Sequence, residues 1–113
     1  MLNLREKCVL TYIVQHCNDI IHDVENLTKE EFKNNGTIQR SVCLSIFQIG
    51  ELSKTFSKDF LKEYTGVPWG KIKGIRDIIG HAYGTIMFDD IWDSATIDVP
   101  ALKKYCESII NEN

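Results

Sequence analysis

The 113-residue chain carries 13 lysine and arginine residues against 16 aspartate and glutamate, a net charge of −3, which argues against a nonspecific nucleic-acid coat protein. A nuclease is not excluded, because it needs only a local positive cleft. With 43% hydrophobic and 26% charged residues, no apolar run near the ~20 residues of a membrane span, and no signal-peptide order in Met1–Lys7, residues 1–113 read as one soluble domain. A cytoplasmic location is the default expectation.

Residues from about Leu4 to Leu27 predict a long amphipathic helix. Val9, Ile13, Cys17, Ile20, Val24 and Leu27 fall at helical spacing, and Leu10, Val14 and Ile21 widen the stripe. That width implies burial on two sides, in the core and at a dimer interface. His16 and His22 lie at or beyond the stripe's edges and receive no role. Thr28 and Glu31 form a capping box that starts a short turn, ended by Asn34-Asn35-Gly36. A second long helix follows from Thr37 to about Phe56, with Ile38, Val42, Ser45, Ile49, Leu52 and Phe56 on one line and Glu51 off it.

Ser57 to Tyr64 predicts a short helix closed by Gly66, and Pro68 opens the third main helix. Trp69 reads as a packing anchor in preference to a base-stacking platform. This third helix runs to about Tyr83 and dissolves into Gly84-Thr85. Asp89 and Asp90 suit a helix N-terminus. Trp92, Ala95, Val99, Leu102, Cys106 and Ile109 then hold helical spacing. Pro100 clashes with the carbonyl of Thr96, so a kink or restart is expected there, with Asp98 as the new cap. Asn111 to Asn113 is expected to fray. No strand or repeat signal appears, and long amphipathic helices with short connections make an all-α, antiparallel up-and-down bundle.

Cys8, Cys17, Cys43 and Cys106 form no CxxC pair, and the last three sit on or beside apolar stripes, where free cysteine packs as a small hydrophobe. A zinc site from Cys8, His16, Cys17 and His22 is disfavoured, since these residues point around much of one helix. No metal and no cofactor are expected.

The chemistry concentrates in Gly74-Ile75-Arg76-Asp77-Ile78-Ile79-Gly80-His81-Ala82-Tyr83-Gly84. On a helix, Ile72, Ile75, Ile79 and Ala82 share one face, and the polar residues straddle its edge. Asp77 and His81 are four apart, so the carboxylate can orient the imidazole. Arg76 and His81 are five apart, about 140° around an ideal helix. They converge on one phosphate only if the helix loosens before His81, which Gly80 and Gly84 allow. Lys71 and Lys73, with Lys62 upstream, make the one basic concentration nearby. By spacing alone, the same stretch is equally a helix end with solvated polar residues.

Arg76, His81 and Tyr83 in R-x4-H-x-Y order resemble the motif of HepT-like toxins, within the HEPN-domain ribonucleases. Ile49-Gly50-Glu51 and the polar residues after it, Val67-Pro68-Trp69, and Phe88 through Trp92 are similar as well, so the likeness spans roughly residues 5 to 110. The resemblance implies a HEPN-like bundle that dimerises, with Arg76 and His81 catalytic and Asp77 orienting His81. RNA supplies its own nucleophile, the 2′-hydroxyl, so cleavage without metal requires taking its proton, stabilising the phosphorane and protonating the 5′ oxygen. A histidine suits the proton transfers, and an arginine fork suits the charge. Two motifs across a dimer cleft supply a pair of each.

Lys71, Lys73 and Glu51 are candidate RNA or phosphate contacts; Glu51 is equally an exposed helix glutamate. The resemblance further implies that Tyr83 accepts AMP from a minimal nucleotidyltransferase antitoxin, MntA, and that the added bulk and charge block substrate. Tyr83 also fits a buried tyrosine at a helix end. The expected function is therefore a toxin endoribonuclease with RNA as substrate, with neither DNA nor a membrane as partner. The alternatives are a non-catalytic HEPN bundle that scaffolds the nucleotidyltransferase, and a nucleotide-binding regulator using Arg76 and the lysines.

Overall fold

The computed structural model describes residues 2–113, and among them there is no strand. Seven α-helices follow one another: α1 (Leu4–Val24), α2 (Lys29–Lys33), α3 (Gly36–Ser53), α4 (Lys58–Glu63), α5 (Trp69–Ala82), α6 (Phe88–Asp93) and α7 (Val99–Glu112). A 3₁₀ turn (Tyr83–Thr85) follows α5, and a π-turn (Ser94–Asp98) joins α6 to α7. The antiparallel helical bundle expected from the sequence is the fold.

The helix starts follow from local side-chain chemistry. Asn3 and Glu6 form a capping box on α1, with Asn3 Oδ1 accepting from the Glu6 amide at 2.8 Å and Glu6 Oε1 accepting from the Asn3 amide at 3.1 Å. Thr28 and Glu31 do the same for α2, as expected. Asn35 caps α3 through the Ile38 amide, so this helix begins one residue earlier than its apolar pattern suggested. It ends at Ser53, three residues earlier than expected. Ser57 already caps α4 through the Phe60 amide, leaving the intervening residues in a turn.

Helix α1 is the central member, packed by α3 on one side and α7 on the other, while α3 carries α5 on its far side. Arg5 donates to the Thr55 carbonyl and Ser41 donates to Asp23, which fixes α1 antiparallel to α3. Leu10, Ile13, Cys17 and Ile20 are fully buried between these partners. Much of the width of the α1 stripe is thus taken up within the chain by α3 and α7, with Val14, Ile21 and Leu27 at its edges only partly buried.

One expectation for the C-terminal region is corrected. Asp98 does not cap a restarted helix: its backbone is helical, it makes no capping bond, and its carboxylate meets Lys71 Nζ at 2.8 Å. The proline is accommodated instead by widening the preceding turn, with the Val99 amide reaching back to the Ser94 carbonyl. At the C-terminus, α7 runs to Glu112. Asn113 accepts from the Leu2 amide through Oδ1 and from Lys7 Nζ through its carbonyl, and it donates to the Ile109 carbonyl. These bonds tie the end of α7 to the start of α1.

Trp69 is a packing anchor. Its ring lies edge-on to Phe56 at 5.4 Å, and its indole N–H donates to the Tyr64 carbonyl at 2.8 Å. Cys17, Cys43 and Cys106 are buried as free thiols, and burial pushes their pKa up to about 12, 11 and 12 respectively. No helix among the described residues is long and apolar enough to cross a membrane.

Candidate active site

The motif helix α5 is the outermost of the four long helices, and none of its residues is fully buried. Ile72, Ile75 and Ile79 pack only partly against the core. Behind them, a mostly apolar cavity of about 110 Å³ lies between α3, α5 and α7, lined by Ile46, Ile49, Val67, Ile72 and Leu102 among others. The Lys71–Asp98 ion pair borders it.

What holds α5 to α3 is a close approach at Gly50. A Cβ there would lie 2.4 Å from Arg76 Cβ and 2.5 Å from its Cγ, so only glycine lets the two helices meet at this distance. One turn along, the Phe47 ring takes the same position over Gly80, 3.0 Å from where a Cβ would be. Arg76 is therefore not at the open edge of the stripe, as its spacing suggested. It faces α3, its side chain is only 11% exposed, and its stem is part of the packing.

That burial requires compensation for a permanent charge. Two carboxylates supply it: Glu51 Oε1 lies 3.2 Å from Arg76 Nη1, and Asp77 Oδ1 lies 2.7 Å from Nη2. Lys54 Nζ approaches the same Glu51 oxygen at 3.7 Å. The Arg76 Nε is buried without a hydrogen-bond partner. The four charges alternate in sign, and the guanidinium retains N–H groups beyond the two that the carboxylates engage.

His81 is exposed in the last turn of α5. The helix does not loosen before it. The break comes one residue later, at Ala82 (φ −147°, ψ 40°), and leads into the 3₁₀ turn closed by Thr85 Oγ1 donating to the Ala82 carbonyl. Arg76 and His81 thus stay five positions apart on continuous helix, about 140° around it. Within one chain they point to different sides. Among the described residues, Asp77 has Arg76 as its ion-pair partner and none with His81, so the orienting pair expected from their spacing is not formed here.

Tyr83 begins the 3₁₀ turn with 40% of its surface exposed, which sets aside the buried-tyrosine alternative. Its ring meets Phe88 edge-on at 6.4 Å and lines an open groove with Arg40, Cys43, Leu44, Phe47, Ile79 and Gly80. Lys71 is turned to Asp98 on the α7 side, away from Arg76, while Lys73 is exposed. Of the expected site residues, the structure brings together Arg76, Asp77 and Glu51. His81, Tyr83 and Lys73 remain separately exposed on or beside the same helix. Gly50 and Phe47 had no assigned role in the sequence, although a glycine inside a strongly helical pattern is itself a signal of close packing. Among the described residues, no group of three or more His, Cys, Asp or Glu side chains is arranged to hold a metal ion.

Comparison with known proteins places the chain in a family. The family model described as "Ribonuclease HepT-like" matches residues 13–109. The chain belongs to this family. A Methanocaldococcus jannaschii relative provisionally named RNase MJ1216 is 33% identical over 106 residues, covering 94% of this chain and 88% of its own length. A Caldanaerobacter subterraneus subsp. tengcongensis relative provisionally named RNase TTE0752 is 30% identical over 103 residues, covering 91% of this chain and 92% of its own. A third, from Thermococcus cleftensis and provisionally named ribonuclease HepT, is 28% identical over 95 residues, covering 80% of this chain and 86% of its own. No solved structure matches the chain.

Proposed function

We propose that this HepT-like protein is a metal-independent endoribonuclease toxin whose active cleft is formed by two copies of α5. The observation that carries the reading is the helical continuity from Arg76 through His81. One chain presents the two groups to different sides, so a phosphate contacted by both an arginine and a histidine calls for a second motif. Leu44, Ile78, Tyr83 and Met87 are between 40% and 64% exposed around the motif, an apolar rim suited to covering by another copy of the chain.

In this reading the Arg76 fork binds phosphate oxygens and stabilises the charge of the phosphorane. His81 takes the 2′ proton or delivers the proton to the departing 5′ oxygen, and its counterpart in the second copy serves the other transfer. Asp77, just over one turn before His81 and paired with Arg76, reaches His81 only by exchanging partners on dimer formation or substrate binding. Lys73 adds local positive charge to the RNA path. RNA is the substrate class, as the relatives' names also suggest, and the protein acts in the cytoplasm.

Tyr83 is the regulatory handle in this account. Its exposure, between Ala82 and Gly84 and beside Phe88, leaves the phenol accessible to a nucleotidyltransferase antitoxin that transfers AMP. The test is to incubate wild type and Tyr83→Phe with the cognate nucleotidyltransferase and ATP, then assay both for RNA cleavage. Wild type should gain AMP mass and lose cleavage; Tyr83→Phe should gain none and stay active. If wild type is silenced without gaining mass, inhibition is by binding. If Tyr83→Phe is inactive from the start, the tyrosine belongs to catalysis.

A further inference from the structure

The sequence reads Glu51 as either a substrate contact or an exposed helix glutamate, and its geometry adds a third role. It follows Gly50, the residue on which the Arg76 stem rests, and its carboxylate engages Arg76 Nη1 at 3.2 Å from across the α3–α5 crossing. Asp77 engages the other terminal nitrogen at 2.7 Å, but it belongs to the same helix and is adjacent in sequence. A planar group held at one corner by its own helix still pivots about that corner. A second anchor from a different helix fixes its plane. A direct contact between Glu51 and RNA is electrostatically unfavourable, because both are anionic and Lys54, at 3.7 Å, offsets the glutamate only in part.

We propose that Glu51 is a positioning residue that fixes the plane of the Arg76 guanidinium so that the terminal N–H groups left free by the carboxylates face the scissile phosphate, without itself touching RNA. The inference rests on the ribonuclease reading above. Its signature is a split between binding and turnover. Glu51 adds negative charge where a phosphate arrives and so weakens ground-state binding, while it strengthens the transition-state contact by holding the fork in place. Loss of orientation at a charge-stabilising group costs on the order of 10- to 100-fold in rate.

The experiment compares Glu51→Gln, which keeps the shape, and Glu51→Ala with wild type in two measurements. Steady-state RNA cleavage should show kcat lower by about 10- to 100-fold in both variants, with KM unchanged or reduced. Arginine-selective ¹⁵N NMR should show the Arg76 Nε–H resonance shifted and exchanging faster with solvent in both, while thermal unfolding confirms that they are folded. Raised KM at unchanged kcat would make Glu51 a substrate contact and overturn the proposal, as would unchanged kinetics. If wild type cleaves no RNA, the ribonuclease reading fails, and the NMR arm still decides the positioning: an Arg76 resonance indifferent to Glu51 overturns it.

Discussion

Gly50→Ala is the sharpest structural perturbation, because the added methyl meets backbone-attached carbon. The new Cβ would lie 2.4 Å from Arg76 Cβ and 2.5 Å from Cγ. Carbon atoms pack at about 3.5–4.0 Å, so α3 and α5 must separate by roughly 1–1.5 Å at the crossing. Arg76 Cβ is fixed to its own helix and cannot swing aside as a flexible tip would. Overpacking of this kind costs about 1–3 kcal/mol. For a chain of this size that lowers Tm by roughly 3–15 °C. The same shift carries the motif with it, and a displacement near 1 Å at a catalytic group is worth about 10²-fold in rate. Gly74→Ala is the control on the same helix, since nothing lies within 4 Å of its Cβ position. There alanine should stabilise by roughly 0.5–1 kcal/mol through helix propensity. The Tm should therefore move in opposite directions in the two variants, and the cleavage rate should fall in Gly50→Ala alone. A Gly50→Ala protein as stable as wild type would refute the close crossing of α3 and α5.

Three further outcomes follow from the core and its charges. In native protein at neutral pH, a thiol reagent should label Cys8 alone, because burial pushes Cys17, Cys43 and Cys106 up to about 12, 11 and 12; labelling of all four without denaturant, read by mass spectrometry, would contradict their placement. Phe32→Ala removes the largest fully buried side chain, whose ring packs against Trp92 at 5.4 Å and Phe88 at 6.3 Å, and should cost about 3–5 kcal/mol in urea unfolding. Lys33, 3.1 Å from Asp89, together with Lys29 holds that carboxyl below its ordinary value, so its contribution is present above the usual carboxylate range and is lost as pH falls through the lowered pKa. Asp89→Asn should accordingly lower stability at pH 7 and leave it unchanged at strongly acid pH; an equal loss at both would assign the effect to packing.

Helix periodicity made the bundle legible, because each long helix buries one stripe and its apolar residues repeat accordingly. Val42, Ile49, Leu102, Cys106 and Ile109 are buried where the pattern put them. Partnership was harder to read. The wide stripe of α1 announced burial on two sides, but nothing local distinguishes a neighbouring helix of the same chain from a second copy. Asp98 was misread for the same reason: its sequence neighbours suggest a cap, whereas its partner, Lys71, is 27 positions away. Arg76 shows the limit most clearly. Spacing put it at a polar edge, but the absence of a side chain at Gly50 draws it into the α3 interface, where Glu51 becomes its partner. Nor does local sequence announce the bonds of Asn113 to Leu2 and Lys7, 111 and 106 positions away.

The most direct test of the account is the initial rate of RNA cleavage in EDTA by wild type and by His81→Ala. This variant suits the purpose because His81 is exposed and outside the packing that holds Arg76, so its loss should leave Tm nearly unchanged. The account predicts cleavage by wild type that EDTA does not diminish, and a rate lower by about 10²-fold or more in His81→Ala. Cleavage abolished by the chelator, or a folded His81→Ala protein that cuts RNA at the wild-type rate, would contradict it.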